Sequence, residues 1–454
     1  MTADPHVAAE PQRGPVVADQ RVGYLAAHGL VGDDWVAAPY IEVDATGTIV
    51  RAQSGRPTAE DGAPQVIHDL GRALLLPGFV NAHSHAFQRA IRGATHRRGQ
   101  HDPSSFWSWR EAMYRAATSL DPEAVFSVTR ACFAEMLRAG ITCVGEFHYI
   151  HHNPDGTPYL DPNELSHQVV RAAAVTGIRL VLLSVYYARA GAGRPALPEQ
   201  RRFCDGSVDA YLRRLDALRG TGVHVGIAPH SVRAVPREAL RELAAHAHAH
   251  DLPLHAHVSE QPQENLECQA EHGLTPTALF AATGCLDRPG GFTAVHAIHL
   301  EPADFTALAG QHVCACPTTE ADLGDGIIPA GEHLRHRIQL ALGSDSNAVI
   351  DLVQEARLLE MHERLRTRAR LCLIGEGNQP ARTLLDLATR GGALSLGRPD
   401  LGRLRVGAPF DACTVDLTHP TLAGIDPTDA LDALLLSGTA AAIDRVFVGG
   451  TRLR

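Results

Sequence analysis

Eight short runs of near-continuous apolar residues, rich in Val and Ile and bounded by Gly or Pro, recur between Pro77 and about Leu396. They read LLLPGFVNAHSH, GITCVGEFHY, GIRLVLLSVYY, GVHVGIAPHSV, PLHAHVSE, FTAVHAIHL, HVCACPTT and IQLALGSDSN. Apolar positions that do not alternate suit parallel strands buried on both faces. The stretches between them carry helical punctuation: in DPEAVFSVTRACFAEMLRAG, Asp121 and Pro122 open a helix and Gly140 closes it. Eight strands alternating with helices predict an α/β fold, a (β/α)8 TIM-like barrel over residues 76–396. On either side the pattern changes. Residues 21–75 and 397–454 alternate apolar and polar positions between Gly turns, which predicts short antiparallel strands in a small β-sandwich domain built from both chain ends. Residues 1–20 show neither pattern, and a disordered tail is expected there.

A barrel of this kind carries its chemistry at the carboxyl ends of its strands. The polar residues of the runs gather there: His83 and His85, Glu146 and His148, His230, His257 and Glu260, His296, and Asp345. His83 and His85 stand at i and i+2, so both side chains leave the same face of the first strand, roughly 7 Å apart along the chain. His255 and His257 repeat the arrangement on the fifth strand. One such pair alone is equally well read as two satisfied polar residues at a strand end. Three imidazoles and a carboxylate from strands one, five and eight, with one water, match a catalytic zinc site, and such sets also accept iron or manganese.

Composition narrows the chemistry further. All 41 basic residues are arginine, for the chain of 454 residues contains no lysine. That excludes Schiff-base lysines, phosphate-loop lysines and a carboxylated lysine bridging two metals. A net charge of −10 argues against coating nucleic acid or an anionic membrane. Nine cysteines without a C-x-x-C pair read as reduced core residues, and no apolar run is long enough to span a bilayer. A basic-then-apolar leader is not visible in the first twenty residues, so a cytoplasmic protein is expected.

The ordered set LLLPGFVNAHSH, HAHVSE, VHAIH and LGSDSN resembles the amidohydrolase superfamily along essentially the whole chain. That resemblance implies a barrel of the metal-dependent hydrolase type. It makes His83, His85, His257 and Asp345 the metal ligands, Glu260 the acid/base three residues after the fifth-strand ligand, and His296 the non-ligand histidine ending strand six. Two-metal relatives use a carboxylated lysine after strand four; here that strand ends IAPHSV, so one divalent ion is expected, most simply Zn2+. Single-metal relatives with this glutamate are mostly deaminases. In such chemistry the ion brings water to a pKa near ~7. Asp345 takes its proton, His296 orients it and stabilises the tetrahedral centre, and Glu260 protonates the departing nitrogen.

The connection after strand one, about 35 residues on the catalytic face, reads as a lid or binding loop rich in arginine. Arg97 and Arg98 are assigned to solvent. Arg110, beside Phe106, Trp107 and Trp109, and Arg233, close to His230, are the pair expected to clamp two carboxylates. The stretches HSHAFQRA, FWSWREAMYR, EFHYIHH, APHSVR and CPTTEADLGDGI closely resemble the formimidoylglutamate deiminase family. By that resemblance Gln88, Arg110, Tyr149, His230 and Arg233 contact substrate. The implied reaction converts N-formimidoyl-L-glutamate and water into N-formyl-L-glutamate and ammonia, a step of histidine degradation. A homodimer with a small-molecule substrate is expected. Purine and triazine deaminases usually show an Asn-Pro-x-Ser-Asn-like run after strand seven, where this chain has Cys316-Pro317-Thr318-Thr319-Glu320. The alternatives are a deaminase of another amidine or of a purine, as in guanine deaminases, and a non-catalytic barrel scaffold. His246, His248 and His250 are assigned to a solvated helix, Cys314 and Cys316 to the core, and His255 to a supporting place beside His257. His299 is assigned to structure, and His148, His151 and His152 to the pocket wall with no sharper role.

Overall fold

The computed structural model describes residues 21–58, 60, 62–96, 106–375 and 378–454, with residues 106–108 as backbone alone. The expected tail over residues 1–20 and the residues Arg97 and Arg98 lie outside that set.

All eight runs contain a strand of one parallel sheet: β1 (Phe79–Ser84), β2 (Ile141–His148), β3 (Arg179–Tyr186), β4 (His224–Pro229), β5 (Leu254–Val258), β6 (Phe292–His296), β7 (His312–Ala315) and β8 (Gln339–Leu342). Neighbours in sequence are neighbours in the sheet, and every pair is parallel. A parallel bridge between Ser84 and Asp345 brings the last strand back to the first and closes the barrel. With helices outside and side chains filling the interior, β1, β2, β5, β6 and β7 are buried at every position, which is why their sequences run apolar without alternation.

The run LLLPGFVNAHSH is two strands rather than one. Ala73–Pro77 belongs to a separate six-stranded sheet, where it pairs antiparallel with Ala412–Asp416, and only Phe79–Ser84 enters the barrel. The change of sheet falls at Gly78, where a Cβ would collide with the side chain of Thr142. Both halves are buried, so periodicity carried no sign of the change of partner. The six-stranded sheet packs with a four-stranded one around Tyr24, Ile41, Ile49, Leu75, Phe410 and Phe447, giving a β-sandwich drawn from both ends of the chain. Two of its strand pairs are parallel, Val22–Leu25 with Val66–Asp69 and His28–Val31 with Ala73–Pro77, where antiparallel pairing was expected throughout. Parallel neighbours need a crossover, and the strands between residues 34 and 54 supply it.

The segment after β1 is not an irregular loop in its second half. Residues Phe106–Ser119 form helix α1, which buries Met113, Tyr114 and Ala117, and Pro122–Arg138 form α2. The Asp121 carboxylate accepts from the Ala124 amide to open α2, and Gly140 follows its end at φ 83°. Helix α1 is held over the barrel mouth by the loop after β3. There Arg202, fully buried, donates to the carbonyls of Ala117, Leu120 and His152, and Gln200 Nε2 donates to the hydroxyls of Tyr114 and Tyr187 at 2.8 and 2.7 Å. Among the described residues no helix is long and apolar enough to cross a membrane.

Burial pushes the imidazoles of His148 and His255 down to about 3 and those of His312 and His333 down to about 4. Their folded pKa values lie below the unfolded one of about 6.5, so the stability they contribute is complete above that value and is lost as pH falls towards 3–4. Urea unfolding between pH 7 and 4 is expected to show a steadily falling free energy. His312→Gln should flatten that slope by up to about 1.4 kcal/mol per pH unit, one proton's worth. A slope unchanged by the substitution would remove His312 from the set.

Candidate active site

Strands β1, β5 and β8 deliver four donors to one point. One ligating atom from each of His83, His85, His257 and Asp345 lies within 4.8 Å of the others, and all four residues are buried. His83 Nε2 and His85 Nε2 are 3.2 Å apart and stand 3.4 and 3.2 Å from Asp345 Oδ1. The outer ring nitrogens are turned to carbonyls: His85 Nδ1 to Phe147 at 2.9 Å, and His257 Nδ1 to His230 at 3.0 Å. A carbonyl can only accept, so each Nδ1 carries the proton and each Nε2 turns its lone pair to the cluster. Burial holds His83 down to about 4 and His257 well below the usual histidine value, which keeps both rings neutral, as metal ligands must be. Burial alone would raise Asp345, but His83 and His85 hold it well below the ordinary carboxylate range. Three imidazoles and one carboxylate, with His85 and His257 each oriented from behind by a carbonyl, fit a zinc-like divalent ion.

His296, ending β6, faces this cluster from the other side. Its Nε2 stands 3.8 Å from Asp345 Oδ2 and 3.7 Å from Glu260 Oε1, and its Nδ1 is 3.3 Å from Glu320 Oε1. Burial alone would depress it; the hydrogen bond to Glu320 and the charges of Glu260 and Asp345 hold it well above the usual value, as an imidazolium. Ser259, His296, Ala297, Asp345 and Asn347 all have φ between 44° and 70°. Non-glycine residues rarely adopt this left-handed region, and here they cluster where β5, β6 and β8 end.

A pocket at the carboxyl end of the barrel runs from His85, His257 and Asp345 past Glu260 to Arg110 and Arg233. Gln88, Tyr149 and His230 line it as well, so all five residues expected to meet substrate border the same space as the metal donors. Gln88 Nε2 donates to Tyr149 Oη at 2.8 Å. Arg110 rises from α1, with its guanidinium carbon 5.4 Å from the ring centre of Tyr114. Arg233 donates from Nη2 to Glu260 Oε2 at 3.0 Å, and its Nε is 3.7 Å from Glu264 Oε2. Burial works against its charge, but Glu264 and Glu260 outweigh that and raise it above its ordinary value.

The matching family model is the amidohydrolase family, over residues 74–453. The chain belongs to the amidohydrolase family. It is 41% identical to a formimidoylglutamate deiminase of Pseudomonas aeruginosa over 436 residues, covering 94% of this chain and 93% of that protein. It is 31% identical to an 8-oxoguanine deaminase of the same organism, covering 96% and 92% of the two chains. A crystal structure of an amidohydrolase from Brucella melitensis superposes with a TM-score of 0.86 at 34% identity, covering 95% and 94%.

Several residues around this amidohydrolase site escaped the sequence reading. Glu320, in the first turn of α4 (Pro317–Leu323), accepts from the Cys316 amide at 2.9 Å and meets His296, 24 positions earlier in the chain. Only the neighbouring ends of β6 and β7 bring them together, so no local spacing marks the pair. Glu264, on α3 (Pro262–His272), stands four positions after Glu260, a visible signal; burial raises its carboxyl to about 7. Tyr187 lines the pocket from the end of β3. The histidines set aside have other partners: His255 Nε2 meets the Ser395 carbonyl at 2.8 Å, His299 Nε2 that of Asp325 at 2.8 Å, and His246 Nε2 the Asp216 carboxylate at 3.4 Å.

Replacing His257 by Asn shortens one arm of the donor set and should leave the purified protein with well under one equivalent of metal by atomic emission. Full metal content in that variant would take His257 out of the ligand set.

Proposed function

We propose that the chain hydrolyses N-formimidoyl-L-glutamate to N-formyl-L-glutamate and ammonia in histidine degradation, acting on the carbon–nitrogen bond of a linear amidine. The observation that carries this reading is one pocket bordered by His85, His257 and Asp345, three of the four convergent metal donors, and by two arginines, Arg110 and Arg233. It stands in a chain 41% identical, along nearly its whole length, to a formimidoylglutamate deiminase. Zinc as the ion and a cytoplasmic homodimer as the working form belong to the same reading.

His83, His85, His257 and Asp345 would hold a divalent ion, which would supply a water acidified to a pKa near ~7. Asp345 Oδ2, turned towards His296, would be the group that takes the attacking water's first proton. His296, charged and anchored through Nδ1 by Glu320, presents Nε2 to the oxygen that becomes the formyl oxygen. Glu260, a carboxylate paired with Arg233, takes up the remaining proton of the attacking water as the formyl carbon–oxygen double bond forms and passes it to the departing nitrogen, so that ammonia leaves rather than amide ion. The formamidine carbon is already activated by its positive charge. Arg110 and Arg233 receive the two carboxylates of the glutamyl part as charge-assisted pairs.

Product identification tests this directly. Formylglutamate with ammonia supports the scheme; glutamate with formamide would mean attack on the other carbon–nitrogen bond, and ammonia release from a purine with none from formimidoylglutamate would favour the purine reading. The two arginines should separate kinetically. Arg110→Ala is expected to raise KM about 10–100-fold with a smaller effect on kcat, the loss of one charged hydrogen-bonding pair. Arg233→Ala should lower kcat as well, because Arg233 also holds Glu260. Glu260→Gln should reduce kcat about 10²–10⁴-fold. Equal and small effects from both arginine variants would sink the two-carboxylate clamp.

A further inference from the structure

We infer that a second, inhibitory divalent ion of soft character binds between His296, Cys316 and Asp345, on the opposite side of the Asp345 carboxylate from the first. The inference rests on the reading of Asp345 as a ligand of the first ion. The three residues stand at or just beyond the carboxyl ends of β6, β7 and β8; each offers a donor atom within 4.8 Å of the other two, and all three are buried. The carboxylate of Asp345 is divided between the two places. Its Oδ1 faces His83 and His85 at 3.4 and 3.2 Å, and its Oδ2 faces His296 Nε2 at 3.8 Å. Donors held by one tetrahedral zinc at about 2.0–2.3 Å stand about 3.3–3.8 Å apart, which the His296–Asp345 pair already meets.

The imidazole is built as a ligand. His296 Nε2 is buried and has no hydrogen-bond partner among the described residues, while Nδ1 faces the Glu320 carboxylate at 3.3 Å. A carboxylate behind one ring nitrogen with the other aimed inward is the usual support of a metal-binding histidine. Cys316 carries a free thiol, fully buried, above an interior plug of Ala82, Val295, Cys314 and Ala341. A set of one nitrogen, one sulfur and one oxygen selects zinc or cadmium over magnesium or calcium. As the ion binds, two protons go to solvent, one from the Cys316 thiol and one from Nε2 of the His296 imidazolium, which frees the lone pair that meets the metal. Binding then occupies the two groups the reaction uses, His296 Nε2 and Asp345 Oδ2, so the doubly loaded protein is inactive. Repulsion from the neighbouring dication makes this site the weaker one, filled only in excess metal.

The test is a Cd2+ titration of protein that already holds one equivalent of metal, followed by ultraviolet absorbance, metal stoichiometry after gel filtration, and activity. The expected result is a second equivalent, a thiolate-to-cadmium charge-transfer band, and activity lost in step with both. In Cys316→Ser and Cys316→Ala the band should vanish, the stoichiometry stay at one, and the Cd2+ concentration for half-inhibition rise at least about 10-fold. A native protein that stays at one equivalent with no band overturns the inference, as does a second equivalent retained with inhibition in both Cys316 variants. The titration of the native chain decides the matter even if neither variant folds. A protein that never holds the first equivalent would instead count against the proposed function, which this experiment thereby tests separately.

Discussion

Everything at the catalytic end of this barrel depends on the closing contact between its first and last strands. The His85 amide donates to the Asp345 carbonyl at 2.8 Å and the Asp345 amide to the His83 carbonyl at 3.0 Å, so the same two bonds that shut the sheet set the ligands against one another. Beneath them a buried polar chain locks the seam. Asn81 Nδ2 donates to Ser344 Oγ at 2.7 Å, Ser344 Oγ to Asn347 Oδ1 at 2.6 Å, Asn347 Nδ2 to Ser84 Oγ at 3.1 Å, and Ser84 Oγ to Glu146 at 2.7 Å. Polar groups this deep are tolerated only when satisfied, and a satisfied network specifies one arrangement. It also fixes Asp345 and Asn347 in left-handed backbone, which few residues other than glycine, asparagine and aspartate adopt.

Around that seam the site divides electrostatically. On one side, burial keeps His83 and His257 neutral, with their outer nitrogens or ring faces packed against strand backbone and Phe147. On the other, three carboxylates, Glu260, Glu320 and Asp345, surround His296 and keep it charged. A distance of a few ångströms thus separates imidazoles held neutral from one held charged, facing the place where an anion develops. Arg233 ties this second group to the substrate end of the pocket through Glu260 and Glu264. Helix α1 brings Arg110 from the opposite wall, and its position is set by Arg202, whose buried guanidinium satisfies the carbonyls at the helix end.

Much of this was legible along the chain. The eight apolar runs located every barrel strand, since burial on both faces leaves a parallel strand little choice of residue. His83 and His85 were legible because strand geometry puts i and i+2 on one side, and Asp345 because it ends the last run. The change of sheet at Gly78 was not, because a buried strand looks the same whichever sheet it joins. Nor was α1: its arginines and tryptophans suggested a binding loop, and the buried face of Met113, Tyr114 and Ala117 forms only against the loop after β3.

Local chemistry therefore determined the strands, their polar ends and the identity of the donors, because each is written within a few residues. Pairings between distant segments were decided by the tertiary structure alone. Glu320 with His296, Arg233 with Glu260 and Glu264, and Cys316 with Asp345 are contacts between ends of different strands or the helices that follow them. Closing the barrel creates these neighbours, and the same closure removes the water that would otherwise screen their charges, so both the partners and the strength of their interaction exist only in the folded chain.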